Sequence, residues 1–88
     1  MMVRLLITEW ERVKERFNPI ELKQKKVNVR QYAIPLYKGQ NYPRFHLHVT
    51  KKSKIWMEVW VHLDWKRHNK WETFNAQLVD FIHKLQQV

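Results

Sequence analysis

Eighty-eight residues make one domain, 1–88, with a modest core. The absence of cysteine excludes disulfides and thiolate zinc sites, and no apolar run approaches the roughly 20 residues a membrane-spanning helix needs. The net charge of +9 is concentrated: between Glu21 and Glu58 there is no acid, and the nine cations there, Lys23, Lys25, Lys26, Arg30, Lys38, Arg44, Lys51, Lys52 and Lys54, equal the whole excess.

A field of that kind attracts polyanions, nucleic acid before an anionic membrane surface. The plain alternative is a solvated surface that keeps the chain soluble. The opening Met1-Met2-Val3-Arg4-Leu5-Leu6-Ile7 is too short an apolar run for a secretory signal. Together with the lack of cysteine, this leads to an expected cytoplasmic location.

The first segment has helical spacing. Val3, Leu6, Ile7, Trp10, Val13 and Phe17 recur at three and four, the period of one helix face. Pro19 stops that helix, because it lacks the amide donor and restricts Asn18 before it. Asn18-Pro19-Ile20-Glu21 also resembles a helix start, with Pro at the first position, so a short extra helix after Pro19 is expected.

Lys26 to Ile34 is the first strand expected. Val27, Val29 and Ala33 would face the core, with Asn28, Arg30 and Tyr32 on the other side. Pro35, Gly39 and Pro43 mark the following loop. The second strand is Arg44 to Thr50 and the third Ile55 to Trp65, joined by Lys51-Lys52-Ser53-Lys54. The last segment is helical again, with Trp71, Phe74, Leu78, Phe81, Ile82 and Leu85 as its stripe. Asn69 and Glu72 are spaced as a capping box at its start.

The expected fold is therefore α+β: two helices packed on one face of a three-stranded antiparallel sheet, in the order α-β-β-β-α. The central strand pair carries the strongest functional signal. Phe45, Leu47, Val49, Ile55, Met57, Val59, Val61 and Leu63 make one apolar face. The other face holds Arg44, His46, His48, Thr50, Trp56, Glu58, Trp60, His62 and Asp64. Both apolar sets reach one core only if even residues pair with even residues. The connection must then be a three- or five-residue loop, or contain a bulge.

Three readings of this face follow. In the first, Tyr32, Trp56 and Trp60 stack bases, Arg30 and Arg44 hold phosphates, and Lys51, Lys52 and Lys54 form a basic rim. Such a surface would bind nucleic acid, RNA ahead of DNA. In the second, His46, His48 and His62 with Glu58 supply the acid and base of a small toxin-type ribonuclease, the RNA bringing its own 2′-hydroxyl nucleophile. In the third, the Trp56/Trp60 face meets protein, as a homodimer or an adaptor module.

His46, His48, His62 and Asp64 are also weak metal candidates, so no metal or other cofactor is assigned. Catalysis is left undecided, with a binder favoured over an enzyme. Helix–three strands–helix resembles the order of double-stranded-RNA-binding domains and of small HicA-type ribonuclease toxins. The first group's Gly-x-Gly and Lys-Lys-x-Ala-Lys are absent, since the last helix opens Asn69-Lys70-Trp71-Glu72-Thr73-Phe74. The toxins' histidine follows Gly-Ser, where this chain has Pro43-Arg44-Phe45-His46. No function is carried over from either.

Overall fold

The computed structural model describes residues 1–65 and 71–88, with side chains for all of these except 71–75. The elements are β1 (Met2–Leu6), α1 (Ile7–Phe17), β2 (Ile20–Glu21), β3 (Arg30–Pro35), β4 (Arg44–Lys51), β5 (Trp56–Asp64) and α2 (Trp71–Gln86). The five strands form one antiparallel sheet in the order β1-β5-β4-β3-β2. This corrects the expected three-stranded sheet and its α-β-β-β-α order.

The first correction lies at the start of the chain. Met2–Leu6 is a strand paired with β5, with Val3 opposite Val59 and Leu5 opposite Met57. Val3 and Leu5 are buried, and Leu6 is exposed. The adjacent pair Leu6-Ile7 made an i,i+3,i+4 pattern that runs through a strand-to-helix junction. At that junction Glu9 accepts a hydrogen bond from the Leu6 amide at 2.8 Å, so the helix starts without a polar cap residue. Pairing with β1 also satisfies the second edge of the long strand β5, which would otherwise expose its backbone groups.

The second correction follows Pro19. Helix α1 closes with Asn18 in the left-handed region (φ 48°), its amide bonded to the Lys14 carbonyl at 2.9 Å. Instead of a further helix, Ile20 and Glu21 pair with Ala33 and Tyr32 as a two-residue edge strand. The third correction concerns β3, which begins at Arg30. Lys26 to Val29 is a bridged turn, and Val27 is 88% exposed.

Those two valines suggested the wrong parity. Tyr32 stands opposite Leu47 and Ile34 opposite Phe45, so both face the core, while Gln31 and Ala33 face the other way. A shift of one residue reverses every side chain of a strand, and that is what separates expectation from structure here. Tyr32 is 7% exposed and meets Trp10 edge-on at 5.1 Å between ring centroids.

The β4–β5 pairing has the expected parity. His46 faces His62, Leu47 faces Val61 and His48 faces Trp60, and five residues lie between the last pair, Lys51 and Met57. Phe45, Leu47, Val49, Val59 and Val61 are buried, whereas Ile55 at the hairpin end is exposed. Trp10 and Val13 of α1 and Phe81, Ile82 and Leu85 of α2 join them in one core. Phe81 stacks on Phe45 at 4.2 Å and takes Phe17 edge-on at 5.3 Å. The expected Asn69–Glu72 capping box lies outside the described residues.

Candidate functional site

The histidine face is built by alternation along β4 and β5. Side chains two apart on a strand share a face, and cross-strand pairs bring a second column beside them. His46 lies opposite His62, and Arg44 opposite Asp64. The ring centroids are 4.4 Å apart for His46–His48, 4.6 Å for His46–His62 and 5.0 Å for His48–His62.

Asp64 ties this end of the sheet together. One carboxylate oxygen accepts from Nδ1 of His46 at 2.9 Å and from Nε of Arg44 at 3.2 Å. The other lies 3.0 Å from Nε2 of His62. Each residue is held by a strand rather than a loop. His46 and Asp64 are largely shielded, whereas the His62 side chain is half exposed.

On its far side, Nε2 of His46 lies 2.8 Å from Oε1 of Gln31. That contact is a hydrogen bond when Nε2 carries a proton. With the ring neutral and its one proton on Nδ1, the amide must turn to present its NH2 group. Gln31 is the residue that sequence reasoning missed. Its signal was parity: a glutamine between Arg30 and Tyr32 shares a face with His46 once Tyr32 is in the core.

Burial holds His46 and His48 below the ordinary imidazole value. For His46, desolvation is the largest cause, Asp64 opposes it, and His62, His48 and Arg44 add to it. For His48, desolvation again comes first, reinforced by His62 and Lys26 and opposed by Asp64. Both rings are therefore neutral at pH 7, with lone pairs available for a metal or a proton. One nitrogen from each of His46, His48 and His62 lies within 4.8 Å of the others.

The remaining expected site residues scatter. Glu58 faces Thr50 and Arg4 and accepts a hydrogen bond from Nε1 of Trp60 at 2.7 Å. It stands four residues from His62 along β5, about 13 Å by strand rise, and so takes no part in the histidine cluster. Trp56 lies under the Arg4 guanidinium at 5.0 Å. Trp60 is 48% exposed. Arg44 is engaged by Asp64 and lies 4.5 Å from the Tyr42 ring centroid.

Arg30 and Tyr32 do not join the histidine face. Tyr32 is in the core, and Arg30, on the side opposite the histidines, pairs with Glu21 at 3.0 Å. On that side Arg30 lines a groove of roughly 1040 Å³ with Lys14, Lys51, Lys52 and Lys54. One bank is the turn after β2, through Gln24, Val27 and Asn28, and the other is the β4–β5 hairpin. Trp10 and Tyr32 also line it, and Glu11, its single acid, pairs with Lys14 at 3.2 Å. Among the described residues no ion pair engages Lys51, Lys52 or Lys54. No described helix is long and apolar enough to cross a membrane.

No protein-family model, curated protein or solved structure matches this chain.

Proposed function

We propose that this protein is a small basic nucleic-acid-binding domain, with RNA preferred, and that the strand is held in the groove beside the β4–β5 hairpin. One observation carries the reading: five cationic side chains from α1, β3 and the hairpin line one groove, and although Lys14 and Arg30 pair with Glu11 and Glu21, no ion pair among the described residues engages Lys51, Lys52 or Lys54. The segments on its two banks belong to the acid-free stretch between Glu21 and Glu58. With Arg30 on the helix side and Arg44 tied to Asp64, the phosphate-binding component moves off the histidine face.

Long flexible lysines hold phosphates as point charges, which suits binding without sequence choice. Trp10 and Tyr32 are buried in the groove floor and cannot act as stacking surfaces. The affinity is therefore electrostatic and accompanied by counterion release.

The test is fluorescence anisotropy with a labelled mixed-sequence single-stranded RNA between 50 and 200 mM salt. Affinity should fall steeply with salt. Lys51, Lys52 and Lys54 changed together to Ala should reduce the log–log slope by about two, at roughly 0.7 per phosphate contact for a single strand. An unchanged slope in the triple variant, or no binding at the lowest salt, would sink the reading. The same measurement with DNA of equal length ranks the two nucleic acids.

A further inference from the structure

We propose that His46, His48 and His62 form a three-histidine site for a divalent transition metal, zinc by its donor chemistry, oriented by Asp64 and open to solvent at the fourth position. This site lies on the opposite face of the sheet from the groove and does not depend on the nucleic-acid reading.

The geometry comes first. Three imidazoles from two adjacent strands present nitrogens within 4.8 Å of one another. Around a tetrahedral zinc with Zn–N near 2.0–2.1 Å, ligand nitrogens stand ~3.3 Å apart. One nitrogen of each ring therefore lies within about 1.5 Å of the spacing an ion requires, on side chains carried by a fixed sheet.

Asp64 is the second observation. Its two oxygens engage one nitrogen of His46 and one of His62, at 2.9 and 3.0 Å. A carboxylate accepting from the far nitrogen of a ligating histidine fixes the ring's tautomer and raises its basicity. Here one carboxylate does so for two rings. On these two rings the nitrogens not held by Asp64 are Nε2 of His46 and Nδ1 of His62, and binding an ion through them requires the rings to turn, His46 away from Gln31. The ion displaces the Gln31 amide, which otherwise lies 2.8 Å from Nε2 of His46.

Donor type selects the metal. Three neutral nitrogens without thiolate favour zinc and its neighbours over magnesium or calcium, which take oxygen ligands. With both Asp64 oxygens occupied, the set remains three nitrogens. His62 is half exposed, so the ion is reached from solvent and keeps a position for water. Closed structural sites use four protein ligands, and a three-ligand site leaves one position for exchange.

The experiment is calorimetric titration of zinc chloride into chelator-treated, dialysed protein at pH 7.5. Wild type should bind one zinc per chain. His48→Ala and His62→Ala should each weaken binding by at least ~100-fold, and Asp64→Asn by about 10- to 100-fold. His83→Ala, an exposed α2 histidine, should bind as wild type does. Far-UV circular dichroism checks the fold of each variant, and half-exposed His62 is the position least able to disturb it.

Cobalt(II) in place of zinc should give the intense visible bands of a four-coordinate ion, lost in His62→Ala. Wild-type binding no tighter than that of His48→Ala would overturn the proposal. One zinc per two chains, or only the weak bands of octahedral cobalt, would overturn it equally.

Discussion

The two ends of the β4–β5 pair treat charge in opposite ways. At the Asp64 end, one largely shielded carboxylate lies within 3.2 Å of Arg44, His46 and His62, of which only His62 is half exposed. At the hairpin end, Lys51, Lys52 and Lys54 project beside the groove, and no ion pair among the described residues involves them. Shielded groups interact at close range and are screened little by salt. Exposed charges act over roughly a Debye length and are screened strongly. Protons and metal ions should therefore act on the first end and ionic strength on the second. One sheet carries two sites that can be perturbed separately.

The largest effect removes what they share. Leu47 is fully buried and lies in β4 between the two ends, opposite Val61. Leu47→Ala should cost about 2–5 kcal/mol of stability, read by urea denaturation. A domain of this size has little to spare, so RNA and zinc binding should weaken together. A cost under about 1 kcal/mol would mean that the two ends do not rest on one core.

A smaller effect separates them. Asp64→Asn weakens the bridge between the histidines and leaves Arg44 without its carboxylate. The expected loss is about 1–3 kcal/mol of stability, the range for a partly buried polar group deprived of its partner. Affinity for RNA in the groove should stay within about twofold of wild type. A parallel fall in RNA affinity, with the fold intact, would show the two ends to be coupled.

Smaller again is the response to pH. His46 and His48 lie below the ordinary imidazole value when folded, chiefly through burial. The unfolded chain therefore takes up protons first, starting near pH 6.5. Their contribution is complete above that pH and is lost as the pH falls through their folded values. Urea denaturation in chelator from pH 8 to pH 5 should show stability declining below about pH 6.5. His46→Gln combined with His48→Gln should flatten that limb. An unchanged limb in the double variant would assign it to other groups.

The residues themselves show how much was legible in the sequence. Alternation is unbroken within Arg44 to Thr50 and again within Ile55 to Asp64, and the two faces and the even-to-even register follow from it. The helical stripe through Leu78, Phe81, Ile82 and Leu85 carried over for the same reason. Val3 and Leu5 were not legible as strand, since Leu6 and Ile7 supplied a helical period across a junction that only β5's need for a partner explains. Val27 and Val29 misled because apolar residues in a turn imitate strand periodicity. That single error moved Arg30 and Tyr32 to the wrong face and hid Gln31. At the site, the three histidines were found from spacing alone. The double use of Asp64 was not, because the register states which residues are neighbours and leaves the hydrogen-bond pattern open.

The smallest expected effect decides which surface meets RNA. Trp60 is the most exposed of the described tryptophans on the histidine face, opposite His48 and bonded through its indole nitrogen to Glu58. A base stacked on it would contribute ~1–3 kcal/mol, lost on truncation. The groove lies on the other side of the sheet, so Trp60→Ala should change RNA affinity by less than about threefold, under ~0.7 kcal/mol. Stability should move little as well, because half of the ring is already in water and its loss opens no cavity. Anisotropy at 50 mM salt, where binding is tightest, resolves the two cases. A tenfold or greater loss in Trp60→Ala, with the salt slope of wild type retained, would return the binding surface to the histidine face and place the lysines at its rim.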